Sequence, residues 1–254
     1  MQKRIDNLRA QSFSIHTPNR LNMDFRNRLF IIVAVELAYM VGSRMAIQYF
    51  SSASVEAELI RTVLRILTAA IYWQLMKPLI LSKTPDFSKV CDASLVSGLL
   101  LLLSIPVLVG DYGLTAPVAL LFAATSVVVA IKEEFLFRGI VQNLLEKKLG
   151  ELRSVLLTSA IFTVWHIGAW EPSLWVFSQI FFASIILGLI YIRTGSIFFV
   201  IVLHTVYDAV FSFTPLLPAP LGQNWGLIPL IASASLIVYW ALSVRGAQRT
   251  AHSE

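Results

Sequence analysis

Four charged side chains within seven residues, Lys132, Glu133, Glu134 and Arg138, interrupt a run that is otherwise largely apolar from Pro117 to Leu145. On insertion scales each charge at mid-bilayer costs roughly 2.5–3.5 kcal/mol, so four of them cancel most of what a ~20-residue apolar helix gains by entering lipid. These groups must face protein, water or a ligand, and the rest of the chain has to build that environment.

The remaining sequence suits a membrane. Over 254 residues, 57% are hydrophobic and 14% charged, outside the composition of a soluble domain. An all-α polytopic membrane protein is expected. No polar stretch beyond the N-terminus is long enough for a soluble domain, so a single transmembrane domain is expected at 29–244, between a basic tail at 1–28 and a C-terminal tail at 245–254. The one cysteine, Cys91, excludes an intramolecular disulfide and a Cys-rich metal site. The net charge of +5 lies mainly in the tails and alternate loops, as membrane topology demands, so the bilayer and not nucleic acid is the expected partner.

Residues 1–28 carry Lys3, Arg4, Arg9, Arg20, Arg26 and Arg28 against Asp6 and Asp24. Residues 29–50 contain Glu36 and Arg44 and are long enough to span, so they read as an uncleaved first helix, not a secretory signal. Seven further apolar segments follow near 55–81, 94–109, 117–145, 155–167, 174–192, 197–213 and 226–244. The connections 51–54, 110–116, 168–173 and 214–225 contain no Lys or Arg, whereas those between them hold Lys83 and Lys89, then Lys147, Lys148 and Arg153, then Arg193. This alternation predicts about eight transmembrane helices with both termini cytoplasmic.

Glu134 and Arg138 are four residues apart and share a helix face with Cβ atoms roughly 5–6 Å apart, the spacing of a structural ion pair. Glu133 is turned about 100° from Glu134 and aims elsewhere in the bundle, unless Lys132 or a distant arginine neutralises it. Lys132 has the alternative of snorkelling. Taken alone, His166 is a satisfied core histidine more readily than a ligand. Its position adds weight: Glu133 and His166 are nearly equidistant from Gly150, so in an antiparallel hairpin both lie roughly 24 Å from the turn. His204 and Asp208 share another helix face, as metal ligands, as a base with its orienting partner, or as a structural pair in which Asp208 accepts the His204 N–H. His204 stands only about 12 Å up its helix, so convergence of all three groups requires the Thr194-Gly195-Ser196 turn to sink into the protein or the helices to tilt.

Other charges have plainer expectations. Glu58 with Arg61 and Arg65, and Glu36 and Arg44, should pair within or between helices, while Trp165, Trp170, Trp175 and Trp225 should form an aromatic belt at the outer interface. Two intramembrane histidines with Glu133 and Asp208 can activate water, through a bound divalent metal or directly with Glu133 as base. Hydrolysis within the membrane is the leading chemistry. A proton or ion relay is the competing use of the same groups, but no internal repeat or paired broken helix points to transport.

Glu133-Glu134-x-x-x-Arg138, Phe162-x-x-x-His166 and His204-x-x-x-Asp208, in this order and on separate segments, resemble the three motifs of the CPBP family. That family comprises CAAX prenyl endopeptidases of the Ras-converting type, bacteriocin-processing enzymes and Abi-type proteins. The contexts Phe135-Leu136-Phe137-Arg138-Gly139 and 187–196 look like those of bacterial members, and the resemblance covers roughly 117–213. It implies an eight-helix intramembrane protease, open toward the cytoplasm, that cuts near the membrane-embedded or lipidated end of a membrane-anchored substrate. The implied roles are Glu133 as water-activating base, His166 as its partner, His204 and Asp208 completing the site and stabilising the oxyanion, and Glu134 and Arg138 in support. Many members carry Asn where this chain has Asp208. An ionised Asp cannot donate an oxyanion hydrogen bond, so Asp208 is protonated, His204 takes that role, or a metal is bound. The resemblance leaves open a glutamate-dependent and a zinc-dependent mechanism, the latter with Glu133, His166, His204 and Asp208 as ligands. The alternative function is a non-proteolytic membrane protein of the same fold, a bacteriocin self-immunity factor or a scaffold. The motif context points to a prokaryotic cytoplasmic (inner) membrane.

Overall fold

The computed structural model describes residues 25–51, 54–80, 85–86, 93–109, 115–167, 174–213 and 227–251. Two compact units divide the chain, Met1–Val35 and Glu36–Glu254. Of the first, the described residues form the leading turns of a helix; most of the expected basic tail lies outside the described residues, as do most of the loop residues expected on the outer side. Every element among the described residues is helical: α1 (Phe25–Phe50), α2 (Val55–Ile80), α3 (Ala93–Val109), α4 (Ala116–Leu149), α5 (Glu151–Trp165), α6 (Leu174–Thr194), α7 (Ile197–Phe213) and α8 (Leu227–Ala251).

Three stretches are long and apolar enough to cross a membrane unaided, Asn27–Phe50, Ala116–Leu149 and Phe177–Thr194. The other helices fall short for identifiable reasons. α5 has 15 residues, about 22 Å, less than the ~30 Å of a bilayer core. α2 has 26 residues but carries Glu56, Glu58, Arg61 and Arg65 in its first turns. The protein nevertheless presents an apolar exterior: Leu59, Val63, Leu67, Val202, Ile231 and Leu242 are all exposed, a surface that suits lipid and would associate in water.

α4 is the central element, packed along α7 on one side and α2 on another, while α5 lies against α6. Pro117 stands in its first turn, where a missing N–H costs nothing, after the extended residue Thr115. After Glu134 the hydrogen-bond register widens into a π-helical segment, Phe135–Gln142, before α-helix resumes at Asn143–Leu149. In α-helix the Gly139 carbonyl would take the Asn143 backbone N–H; here that N–H turns to the Ile140 carbonyl and the Asn143 side chain bonds Gly139 O instead, at 3.0 Å. The wide turn lets every residue from Phe135 to Ile140 be buried at once, which regular helix on one apolar stripe does not do.

Two tight turns set the depths of the site helices. Gly150 alone joins α4 to α5, at φ +78°, with its N–H on Glu146 O at 3.0 Å. Between α6 and α7, Gly195 adopts φ +63° and its N–H reaches Tyr191 O at 2.8 Å. Ser196 then caps α7, its Oγ accepting the Phe199 N–H at 3.2 Å. Thr194, Ser196 and Ile197 are all buried, and the Asp86 N–H closes over Thr194 O at 2.9 Å. The turn is covered by protein, one of the two arrangements, with helix tilt, that would let His204 reach the depth of Glu133.

Candidate active site

The three motif helices meet, Glu133 and His166 as their equal counts from Gly150 predict. The Glu133 carboxylate, from the last turn of α-helix in α4, lies 4.0 Å from His166 Nε2 at the end of α5 and 3.9 Å from His204 Nε2 on α7. Asp208 brings Oδ2 to 3.6 Å from the same His204 nitrogen. All four side chains proposed from the motifs therefore converge, contributed by three helices.

The other nitrogen of each imidazole is already committed. His166 Nδ1 lies 2.8 Å from the Phe162 carbonyl one turn back, and His204 Nδ1 lies 2.7 Å from Glu134 Oε1. A carbonyl and an ionised carboxylate only accept, so both Nδ1 atoms carry the proton, and in the neutral rings both Nε2 lone pairs face Glu133. A neutral ring turned this way brings a lone pair toward Glu133 and a protonated one brings an N–H donor, so the two imidazoles can play different parts beside one carboxylate.

Glu134 thus does more than pair with Arg138. Its Oε1 accepts from Arg138 Nη1 at 3.1 Å and from His204 Nδ1 at 2.7 Å, making it the orienting partner of His204. The alternative in which Asp208 accepts the bound His204 N–H is therefore not the arrangement found: Asp208 sits on the open Nε2 side. Arg138 continues to α6, donating from Nη2 to Ser184 O at 2.9 Å and Ser184 Oγ at 3.1 Å. Exposure separates the two layers. The side chains of Glu134 and Arg138 are 0% exposed, whereas Glu133 keeps 14%, His166 16% and Asp208 27%. Phe162 forms the partition, with its ring centroid 4.5 Å from that of His166, 4.7 Å from Phe137, and beneath the Arg138 guanidinium at 5.2 Å.

Below this layer α4 is bolted to one face of α6. Gln142 Nε2 donates to Gly188 O at 3.1 Å and Asn143 Nδ2 to Tyr191 Oη at 2.8 Å, so Ser184, Gly188 and Tyr191, spaced four and three apart, receive Arg138, Gln142 and Asn143 in order. Gly188 is required by contact: a Cβ there would stand 3.0 Å from both Gln142 Oε1 and Val155 Cγ1. None of these supports was foreseen. The signal available was the string of polar residues, Arg138, Gln142 and Asn143, continuing an apolar run.

One expectation is corrected. Lys132 does not snorkel; it is buried against Glu36 of α1, with Nζ 2.8 Å from the carboxylate oxygens. Trp165 turns its ring toward that ammonium at 5.4 Å. Trp170 and Trp225 lie outside the described residues. The expected Glu58 cluster is present, with Arg61 at 3.3 Å, Arg65 bonded to the other carboxylate oxygen, and Thr125 of α4 adding a hydrogen bond at 2.9 Å.

The donor types at the site, two imidazoles and two carboxylates, are those of zinc, and the spacing is a few tenths of an ångström wider than a bound ion would draw them. Ligands about 2.0–2.2 Å from a tetrahedral ion stand about 3.3–3.5 Å apart, and the separations here are 3.6–4.0 Å. Among the described residues no group of three or more His, Cys, Asp or Glu is set to hold a metal ion. A water about 2.8 Å from two groups at a near-tetrahedral angle holds them about 4.5 Å apart, so these gaps lie between those of a zinc ion and those of a bridging water.

No curated protein and no solved structure matches the chain. The apolar helices and the family match together make this an integral membrane protein. Residues 115–210, which hold all three motifs and all four convergent side chains, match the family model of the Rce1-like type II CAAX prenyl endopeptidases, the family that the motifs resemble.

Proposed function

We propose that the protein is an intramembrane endopeptidase that hydrolyses a peptide bond near the membrane-embedded or lipidated end of a membrane-anchored substrate, with Glu133 as the base. The observation that carries this reading is the approach of both free Nε2 atoms to one Glu133 carboxylate, at 4.0 and 3.9 Å. A water among them donates one hydrogen to Glu133 and the other to His166 Nε2, which leaves an oxygen lone pair aimed at a substrate carbonyl. Glu133 takes the proton as the water oxygen bonds to the carbonyl carbon, and returns it to the amide nitrogen as the C–N bond breaks. His204, protonated at Nε2 and compensated through Nδ1 by Glu134, donates to the oxyanion of the tetrahedral intermediate. Asp208 stands where it steadies that Nε2 proton, a role an acid can fill where an oxyanion donor role requires an amide. No step is routed through a metal.

The membrane arrangement proposed with this mechanism has both termini cytoplasmic and eight membrane-embedded helices in a prokaryotic inner membrane, supported by the alternation of Lys and Arg among the connections. The test is cleavage of a panel of membrane-anchored peptides, prenylated and plain, by the purified protein and by Glu133→Ala, His166→Ala and His204→Ala. Loss of cleavage in all three, with insertion and folding retained, is expected. A cellular activity that survives Glu133→Gln would instead indicate a non-proteolytic immunity factor or scaffold.

A further inference from the structure

Each of the two residues assigned to water activation is preceded in the chain by a residue of a second buried cluster. Lys132 precedes Glu133, Trp165 precedes His166, and the Lys132 ammonium lies 5.4 Å from the Trp165 ring. On its other sides that ammonium meets both Glu36 carboxylate oxygens at 2.8 Å and the face of Tyr39 at 4.0 Å. Tyr72 of α2 donates its hydroxyl to the same Glu36 carboxylate. Lys132, Glu36 and Tyr72 are all buried, with 2%, 4% and 0% of their surface exposed. One cation is thus gripped from α1 and α5 while anchored in α4, and Tyr72 of α2 holds its carboxylate partner.

We propose that Lys132 is a positioning residue whose caged ammonium sets the rotation of α4 against α5, and thereby the spacing between Glu133 and His166. The inference rests on the roles proposed above for those two residues. Successive helical residues point about 100° apart, so fixing Lys132 toward α1 fixes the direction of Glu133, and drawing Trp165 to the same cation fixes the end of α5 on which His166 sits. A cation beside two aromatic rings, with a bidentate carboxylate, tolerates little rotation, and cation–π attraction is strongest where water is excluded. The cage also gives α1 a part in the site. α1 lies outside the residues 115–210 of the family match, yet its Glu36 and Tyr39 supply two sides of the cage.

Charge neutralisation alone predicts a different outcome from positioning, and three variants separate them. Trp165→Leu leaves the ion pair intact and cuts the link to α5; kcat should fall at least about tenfold with KM within about twofold, since misplacing catalytic groups by about 1 Å costs on the order of a hundredfold. Trp165→Phe should restore most of the rate. Glu36→Gln with Lys132→Met removes both charges together and should fold while kcat stays low. Should Trp165→Leu not fold, Tyr39→Leu removes the other ring beside the ammonium with the same expectation. Spacing is read independently of cleavage from the rate of cross-linking by a short bifunctional thiol reagent in Glu133→Cys with His166→Cys, on a Cys91→Ser background; adding Trp165→Leu should slow it severalfold. Wild-type kcat in Trp165→Leu or in the double charge-removal variant, or unchanged cross-linking, would overturn the proposal. If the wild type cleaves nothing, the function proposed above fails, and the cross-linking rates still decide whether the cage sets the spacing.

Discussion

Replacing Glu134 with Leu separates stability from chemistry, because one oxygen serves both. Glu134 Oε1 receives Arg138 at 3.1 Å and His204 at 2.7 Å, and both Glu134 and Arg138 are fully buried. With the carboxylate gone, the guanidinium keeps only its bonds to Ser184 and becomes a buried cation without counter-charge, a defect of about 3–5 kcal/mol. His204 loses the acceptor that holds its proton at Nδ1, and the wrong tautomer on such a histidine costs on the order of 10²–10⁴ in kcat. Pairing Glu134→Leu with Arg138→Met removes both charges, which is often neutral for stability. The double variant is therefore expected to recover most of the lost thermal stability in detergent while cleaving at least about 10²-fold more slowly than wild type. Stability measured by thermal unfolding and turnover on a membrane-anchored peptide give the two readouts. Recovery of both together would refute the orienting role of Glu134, and an undiminished melting temperature in Glu134→Leu would refute the dependence of Arg138 on it.

Other consequences follow from the supports beneath the site. Gly188→Ala inserts a methyl 3.0 Å from Gln142 Oε1 and Val155 Cγ1, and thermal unfolding should register a loss of about 1–3 kcal/mol. Tyr191→Phe removes the acceptor for Asn143 Nδ2 and should cost about 1 kcal/mol by the same measurement, with little change in turnover. Ser196→Ala deletes the cap that accepts the Phe199 N–H, a loss of about 1 kcal/mol, and should lower turnover too if the sunken turn sets the height of His204.

Much of the site could be read before any fold was known, because two turns act as rulers. Equal counts from Gly150 put Glu133 and His166 at one depth, and their side chains meet. The shortfall of His204 called for a sunken second turn or tilted helices, and that turn is covered by Asp86. What escaped the sequence depends on which faces are turned together. The His204 partner could not be told from spacing, since Asp208 four residues on looks as suitable as Glu134 seventy residues back, and only packing of α4 on α7 decides. The π-helical segment was likewise invisible: Phe135–Gln142 has ordinary helix-forming residues, and the extra width is stabilised by Asn143 and by contacts with α2 and α6. Lys132 and Glu36 were each noted as intramembrane charges, but their pairing across 96 residues is a tertiary fact.

The central claim is that Glu133 itself takes the proton from water, and one paired measurement bears on it directly. Wild type and Glu133→Gln are purified in detergent, dialysed exhaustively against chelator, analysed for bound metal and assayed on the same membrane-anchored peptides. The account predicts cleavage by the metal-stripped wild type, no stoichiometric metal in the untreated protein, and no cleavage by Glu133→Gln. Cleavage that disappears on stripping and returns with about one equivalent of zinc, or that survives in Glu133→Gln, would contradict it.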